Sequence, residues 1–346
     1  MSSITLRLRE IINRPDSVDR SQHRMELDGA TAPSLLVYDA SLATDVLKSD
    51  MLVPFDLVAL WKQVTRLSSS EIGAIETYFR KTPLFLSGEE HKAARKSLVE
   101  PYRRIERSLE SWLHGFTQDF FDRHAFEDID DAPAFVMAYL NGVFQQMLAT
   151  DLGCPTGELP PVSTGVLRLI PRPEALRSFS RQLDELVASI KSILQAAGRN
   201  PEEAWALASV VVMGREPLLA AILFGLANPS PDAEFWDAET LIHSAAPISV
   251  LSRQVTKDGA LDGLDLKKGQ SVTVCPFLAH EKADSGVRES RPVRRLEFGF
   301  GRHLCSGRAL SLKIADSFFR NLPANTRRRI DVANMKLVRD FFLMPK

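Results

Sequence analysis

One segment carries more information than any other part of the sequence: Phe298-Gly299-Phe300-Gly301-Arg302-His303-Leu304-Cys305-Ser306-Gly307. Three of its residues are glycines, which indicates a backbone that turns sharply or lies close against something flat. Cys305 comes just before sequence typical of a helix, where unpaired backbone N–H groups and the helix dipole favour a thiolate over a thiol. Such a thiolate is a soft, strongly donating ligand for iron. The segment therefore makes Cys305 a candidate metal ligand.

Other interpretations of the segment remain open at this point. A lone cysteine is most often a small buried hydrophobe. A dinucleotide-binding loop of the form G-x-G-x-x-G is a poor match, because Leu304 stands where the third glycine would be. A cysteine nucleophile would need a histidine base, and His303 is only two residues away, which makes a shared site awkward without excluding it.

The pattern F-G-x-G-x-H-x-C-x-G resembles the haem-binding loop of the cytochrome P450 family, with every defining position filled. In that family the cysteine is the axial ligand of the iron, the phenylalanine packs near the sulfur and the histidine bonds a haem propionate. The resemblance implies these roles for Cys305, Phe298 and His303, with Gly299 and Gly307 as fixed positions of the loop. It also implies haem b, iron protoporphyrin IX, as the cofactor.

Haem has two propionates, so its pocket needs cationic or hydrogen-bonding groups near them. His91 and Arg95 are four residues apart in a helical pattern and share one helix face, although such a pair alone would suggest a solvated helix. They resemble the family's H-x-x-x-R helix, which binds a propionate. Arg253 matches the arginine that opens the family's β region, although a lone strand arginine is more often a surface residue. The resemblance spans roughly residues 30 to 320 and adds these three residues to the haem site.

The family's central helix carries a glycine, an acid and then a threonine, and the acid and the hydroxyl help to deliver protons. The corresponding run here is Met213-Gly214-Arg215-Glu216-Pro217. The glycine and the acid are present, but Pro217 takes the place of the threonine and frees the carbonyl of Met213. We predict Gly214, Arg215 and Glu216 as catalytic-site residues. The alternative is that Arg215 and Glu216 leave for solvent at a helix bend.

A second departure lies in the helix predicted at 233–244. Glu239 matches a glutamate of the family, but Ile242 stands where its arginine partner is expected. His243 is four residues from Glu239 and would replace that pairing in part. A downstream charge would come from Arg291, Arg294 or Arg295.

The remaining sequence is typical of a mainly α protein with a small β portion. Helical patterns cover 89–124 (interrupted at Pro101), 132–150, 174–197, 202–227 and 308–321. Residues 32–50 predict a strand, a turn at Asp39 and a helix, residues 248–275 predict short strands in hairpins, and 279–296 is irregular. No Pro/Gly-rich boundary divides the chain. We therefore predict one domain, 1–346, with a shortened cytochrome P450 fold.

Composition excludes several classes of protein. The formal net charge of −1 argues against a nucleic-acid binder or a membrane-surface protein. The three cysteines are widely spaced, which excludes a disulfide framework and fits a reducing cytosol. The apolar stretch 205–227 is interrupted by Arg215, Glu216 and Pro217, so it favours a buried helix over a membrane span. We expect a cytoplasmic protein without nucleic-acid or membrane partners.

Three functions follow from the resemblance. The first is a monooxygenase that oxidises a small organic substrate, a secondary metabolite or a lipid-like molecule, with electrons from a ferredoxin or flavodoxin. Arg302, Arg308 and Lys313 would dock that donor, although ordinary surface charge explains them equally well. The second is a peroxide-using or non-oxidative (dehydratase or rearrangement) enzyme, because Pro217 removes the hydroxyl; Arg215 would bind a substrate carboxylate. The third is a haem-binding sensor or carrier. We expect residues 52–70, 160–182 and 206–220 to line the substrate pocket.

Overall fold

The computed structural model describes the chain except residues 1–2, 15–17, 20–21, 23, 28–33, 126–127, 156–158, 161–170, 229–235, 285–295, 334, 340–342 and 346. The helices are α1 Ser3–Asn13, α2 Ala40–Lys48, α3 Leu57–Thr65, α4 Ser69–Lys81, α5 Gly88–Arg123, α6 Ala132–Leu152, α7 Pro173–Ala196, α8 Glu203–Ala227, α9 Ala238–Ala245, α10 Pro276–Asp284, α11 Arg308–Asn321 and α12 Ala324–Arg329. The strands are β1 Arg24–Leu27, β2 Ser34–Val37, β3 Leu52–Pro54, β4 Leu251–Val255, β5 Gly259–Leu261, β6 Leu264–Leu266, β7 Ser271–Val274, β8 Leu337–Arg339 and β9 Leu343–Pro345. The fold class predicted from the sequence, mainly α with a small β portion, is confirmed.

Helix α8 lies at the centre of the helical part. Apolar residues surround its axis on all sides, so it has to be enclosed by other helices. It contacts α5, α6, α7, α9 and α11, and the largest apolar core gathers around it. Among the described residues, α8 alone has the length and hydropathy of a membrane span, and most of that span is buried inside the protein.

The small sheet has the strand order β1-β2-β7-β4-β3, in which β2 and β7 are parallel and the other neighbours are antiparallel. The predicted strand, turn and helix at 32–50 are β2, Asp39 and α2, and the Asp39 carboxylate caps α2 by accepting from the Leu42 N–H at 2.9 Å. Strand β4 alternates buried and half-buried residues, so Arg253 lies on its buried face. This alternation brings a cation into the protein interior.

Three stretches differ from the expectation. Helix α5 runs unbroken through Pro101, which is buried, so packing tolerates the one helical hydrogen bond that proline removes. Residues 276–284 form α10, which packs on α2 and α9, although we predicted 279–296 to be irregular. The hydrophobic pattern of the sequence did not predict helices α3 and α4. Arg291, Arg294 and Arg295 lie outside the described residues.

Candidate functional site

A cavity with a largely apolar lining lies between α5, α8, β4 and residues 297–307. It encloses about 1240 Å³ of empty space, part of which opens to solvent. Residues of 206–220 line it as expected, but none of the described residues of 52–70 or 171–182 does. Phe144 of α6, Ile242 of α9 and residues 82–84 complete the wall instead. The cavity therefore lies deeper in the helical core than the sequence suggested.

The cysteine loop, residues 298–307, folds back on itself at the edge of this cavity. The Cys305 N–H donates to the Phe298 carbonyl at 2.8 Å, which closes the loop. Gly299 and Gly301 have φ values of +71° and +65°, in the left-handed region that favours glycine. A Cβ on Gly299 would also lie 3.1 Å from the carbonyl oxygen of His303. The glycines are thus required by the turn that presents the Cys305 side chain to the cavity.

Cys305 is an exposed residue whose side chain borders the cavity, although protein atoms crowd around its sulfur. Burial raises the pKa of this thiol, although a hydrogen bond from the Gly307 N–H and the charge of Arg95 act in the opposite direction. Desolvation thus opposes the thiolate that the start of a helix favours, so the ionisation of Cys305 stays a prediction. A metal cation against the sulfur would reverse the balance, since a coordinating thiol loses its proton.

Basic side chains gather elsewhere on the cavity wall. The rings of His91 and His303 lie with centroids 4.5 Å apart, and His91 Nε2 and His303 Nδ1 are buried without a hydrogen-bond partner among the described residues. Arg253 is buried and donates to the adjacent Ser252 carbonyl at 3.0 Å, with no carboxylate partner in the described part of the chain. Arg95 donates to the Leu304 carbonyl at 2.8 Å and so joins α5 to the cysteine loop.

The pKa values of these basic residues indicate a binding site for an anion. Burial lowers the pKa of Arg253 to about 10. Burial, together with the charges of Arg253, His91 and Arg302, lowers the pKa of His303 to about 3. Burial and Arg95 also lower the pKa of His91. Several basic groups that are all pushed towards neutrality indicate a site for an anionic group, which would restore their charges and satisfy the unpartnered nitrogens. The residues present therefore fit a haem with its two propionates.

The structure brings together all of the residues assigned to haem binding. His91, Arg95, Arg253, Phe298, Gly299, His303, Cys305 and Gly307 all line the cavity. Gly307 leaves room for its neighbours, since a Cβ there would lie 3.4 Å from the Tyr102 ring and 3.9 Å from the Cys305 sulfur. Their individual roles stay predictions, but residues more than 200 positions apart in sequence share one cavity.

The three residues predicted as catalytic separate in the structure. Gly214 lines the cavity, and a Cβ there would lie 2.9 Å from the Phe144 ring. Arg215 and Glu216 are buried but do not line the cavity, and Arg215 donates to the Asn141 side chain of α6. The alternative that Arg215 and Glu216 leave for solvent is therefore wrong. The predicted contact of Arg215 with a substrate carboxylate in this cavity is wrong as well. Positions 215 and 216 lie on the other side of α8 because each residue advances about 100° around the axis.

Pro217 lines the cavity at the position where the family has threonine. Helix α8 continues through it without a break. The sequence did not predict Tyr102 and Ser209 as site residues; their hydroxyl oxygens lie 3.2 Å apart at the cavity wall. Burial raises the pKa of Tyr102 well above its usual value, so this hydroxyl stays protonated. The helical spacing of Ser209, Met213 and Pro217 was the signal that could have revealed the first of them.

The predicted scaffold around α9 is different in the structure. Glu239 pairs with Arg308 at 2.7 Å, and not with His243. The His243 Nδ1 atom instead lies 3.5 Å from a carboxylate oxygen of Glu297. Glu239 thus reaches α11, whereas His243 reaches the residue that precedes the cysteine loop.

The proposed docking face for an electron donor is not an uncompensated positive patch. Arg302 pairs with Asp50, Arg308 with Glu239, and Lys313 with Glu106 and Glu110. Because each cation has a carboxylate partner, the three residues give little net attraction for an acidic protein.

No family model and no curated protein matches this sequence. Solved structures do match its fold over nearly the whole chain. P450BioI, in complex with acyl carrier protein ligated to hexadec-9Z-enoic acid, is 15% identical with a TM-score of 0.73, covering 97% of this chain and 98% of that chain. CYP175A1 from Thermus thermophilus is 18% identical with a TM-score of 0.70, covering 98% and 95%. A six-coordinated cytochrome P450 from the same species is 17% identical with a TM-score of 0.66, covering 97% and 95%. The chain has the cytochrome P450 fold.

Proposed function

We propose that this chain is a haem-thiolate oxidoreductase that uses Cys305 as the axial ligand of haem b and oxidises a small organic molecule. The observation that carries the proposal is the pairing of two features at one cavity: a sulfur that borders it and a group of basic residues that has no anion. Bound haem would supply a redox-active iron whose thiolate ligand favours cleavage of an oxygen–oxygen bond. We further propose that the chain acts as one domain in the cytoplasm, without a membrane or nucleic-acid partner.

Each residue of the site would have a distinct task. His91, His303 and Arg253 would bind the propionates, because these buried basic groups of the cavity wall have no anionic partner among the described residues. Arg95 would hold the cysteine loop through the Leu304 carbonyl. The Gly307 N–H would stabilise negative charge on the Cys305 sulfur. The largely apolar lining would exclude water and favour a lipid-like substrate.

The direct test is a carbon monoxide difference spectrum of the reduced protein. Thiolate ligation gives a Soret band near 450 nm, whereas imidazole ligation gives one near 420 nm. Haem should copurify at one equivalent per chain. A colourless protein from iron-replete cells, or a spectrum of the imidazole type, would overturn the proposal.

The second candidate is a peroxide-using or non-oxidative enzyme with the same haem ligation. It is favoured by Pro217, which puts an apolar ring where a hydroxyl would relay protons. Fatty-acid peroxygenases of the family carry an adjacent arginine and proline in this helix; here Glu216 separates them, and Arg215 does not line the cavity. Turnover of a lipid-like substrate with hydrogen peroxide and with a ferredoxin or flavodoxin reductase system separates the two candidates. Failure of both would favour non-oxidative chemistry.

A haem-binding protein without catalysis is the third candidate. The cavity argues against it, since a sensor or carrier does not require an apolar chamber beside the ligating sulfur. Titration with fatty acids and small aromatic compounds tests this candidate. A substrate-induced spin-state shift of the haem would count against a haem-binding protein without catalysis.

A further inference from the structure

A second group of potential ligands lies behind the cysteine loop. It consists of His243 on α9, His280 on α10 and Glu297, which immediately precedes the loop. Their side chains are only 16%, 5% and 2% exposed. The two imidazole rings lie with centroids 4.1 Å apart, and the carboxylate is next to both. Three elements far apart in sequence therefore bring two imidazoles and one carboxylate to one buried point.

The distances fit a metal ion. His243 Nδ1 and His280 Nε2 each lie 3.5 Å from the same Glu297 oxygen, Oε2. All three potential ligand atoms lie within 4.8 Å of one another. Ligand atoms at 2.0–2.2 Å from a tetrahedral ion are about 3.4 Å apart. The two distances from Glu297 Oε2 to the imidazole nitrogens are already close to this value. A small movement of one imidazole ring would bring the third distance, between the two nitrogens, to it as well.

The hydrogen bonds show that the group needs a positive charge. The Leu296 N–H donates to His280 Nε2 at 3.1 Å, so this nitrogen presents a lone pair. The same nitrogen faces Glu297 Oε2, which also presents lone pairs. Two acceptors at 3.5 Å in a buried place repel each other unless a cation or a proton lies between or beside them.

Glu297 is buried among its neighbours. Its carboxylate is only 2% exposed, and the oxygen Oε2 lies next to both imidazoles. A buried carboxylate of this kind requires a compensating cation. No lysine or arginine of the described residues pairs with Glu297, so within this part of the chain the cation is either a proton on an imidazole or a metal ion.

We propose that His243, His280 and Glu297 bind a divalent transition metal, zinc by the nature of the ligands. Two imidazoles and one carboxylate form a known zinc ligand set. Ligation through His280 Nε2 would replace its hydrogen bond from Leu296. Since Glu297 adjoins Phe298, the ion joins α9 and α10 to the base of the cysteine loop and fixes its position. This inference does not depend on the proposed function, because none of the three ligands is a haem-binding residue.

The test uses the purified holoprotein. It is treated with a chelator, dialysed, and titrated with zinc in competition with a chromophoric chelator. We expect one tightly bound zinc per chain. X-ray absorption at the zinc edge, to which haem iron does not contribute, should show two imidazoles and a carboxylate at about 2.0–2.2 Å.

Variants identify the ligands. Glu297→Gln and His280→Asn keep side chains of similar size and should weaken zinc binding at least about a hundredfold. His114→Gln is the matched control, because His114 is exposed on α5 and should not affect the tight site. Equal zinc binding by Glu297→Gln and by the wild type would overturn the proposal.

Three results decide the outcome when the variants do not. Should the variants fail to fold, the wild-type X-ray absorption spectrum still decides, because a zinc site without histidine scatterers contradicts the assignment. Absence of stoichiometric zinc, with stability that depends on pH but not on zinc, would assign the positive charge to a proton and overturn the metal. The Cys305→Ser protein should lose haem and keep zinc, so failure of this proposal and failure of the haem assignment are distinguishable.

Discussion

The cysteine loop and helix α8 border the same cavity but follow the cytochrome P450 pattern to very different extents. The loop holds every defining residue, and its partners His91, Arg95 and Arg253 lie at the cavity wall. Helix α8 has a proline at the threonine position. The elements that would hold the cofactor are intact, while the element that would handle protons is altered. Under the proposed function, cofactor binding and the reaction performed on the cofactor would thus be set by different parts of this fold.

The largest effect should come from the loop. Cys305→Ser removes the only candidate thiolate at the cavity, among the described residues, and should abolish the band near 450 nm completely. Circular dichroism should show that the helical fold persists, because Cys305 belongs to a loop. An unchanged absorption spectrum of the variant would show that the cysteine loop does not supply the iron ligand.

The haem-free protein should be unstable in mild acid because of His303. Its pKa is about 3 in the fold, below the usual 6.5, so protons bind more tightly to the unfolded chain. The free energy of unfolding is therefore highest above about pH 6.5, where the imidazole is neutral in both states, and it decreases as the pH falls towards about 3. The pKa difference corresponds to at most about 5 kcal/mol. Urea denaturation at several pH values measures it.

His303→Gln should flatten this pH dependence, whereas the exposed His114→Gln control should not. Bound haem should also flatten it, because the propionates would favour the protonated imidazole. If acid destabilises the haem-free and the haem-bound protein equally, His303 does not bind a propionate.

Arg253→Met should have opposite effects in the two states of the protein. Without haem, the variant should be more stable by up to about 3 kcal/mol, because burial lowers the pKa of Arg253 to about 10 and so disfavours its charge. With haem, the variant should retain the cofactor less tightly by about 3 kcal/mol, because a buried ion pair loses one partner. Denaturation of the haem-free form and transfer of haem to apomyoglobin measure the two effects. Arg107→Met, at a side chain that is 72% exposed, is the control.

The sequence predicted the parts of the site that depend on short-range spacing. The loop 298–307 and the pair His91 and Arg95 each lie within one local element, so their geometry follows from residue order. Contacts between distant elements were not predictable in this way. The Tyr102–Ser209 pair and the approach of His243 to Glu297 depend on how helices pack, and no local pattern encodes that packing.

The same limit explains the error at Arg215 and Glu216. The motif aligned them with catalytic positions, but the rotation of α8 decides which residues face the cavity. That rotation is set by the packing of α6 and α7 against it. Gly214 and Pro217 face the cavity, and the two charged residues between them do not.

Pro217→Thr should have a moderate effect on stability and a larger one on the choice of oxidant. An interior proline costs a helix about 3 kcal/mol, part of which is offset because proline also restricts the unfolded chain. We expect the free energy of unfolding to rise by about 1–2 kcal/mol. The new hydroxyl should raise reductase-driven turnover relative to peroxide-driven turnover. Pro217→Ala gives the stability gain without a hydroxyl, so an equal change of turnover in both variants would contradict a proton-relay role.

The smallest effect on the cavity should come from the side of α8 that faces α6. Asn141→Ala removes one acceptor of the Arg215 guanidinium, and loss of one partner of a buried polar contact costs about 1–3 kcal/mol. Since neither residue lines the cavity, the variant should lower stability while leaving the haem spectrum and the affinity for a lipid-like ligand unchanged. Chemical denaturation and a ligand-induced spin-state titration measure the two quantities. A loss of ligand affinity in this variant would show that the charged residues of α8 act on the cavity, so that ligand binding would depend on the altered helix as well as on the loop.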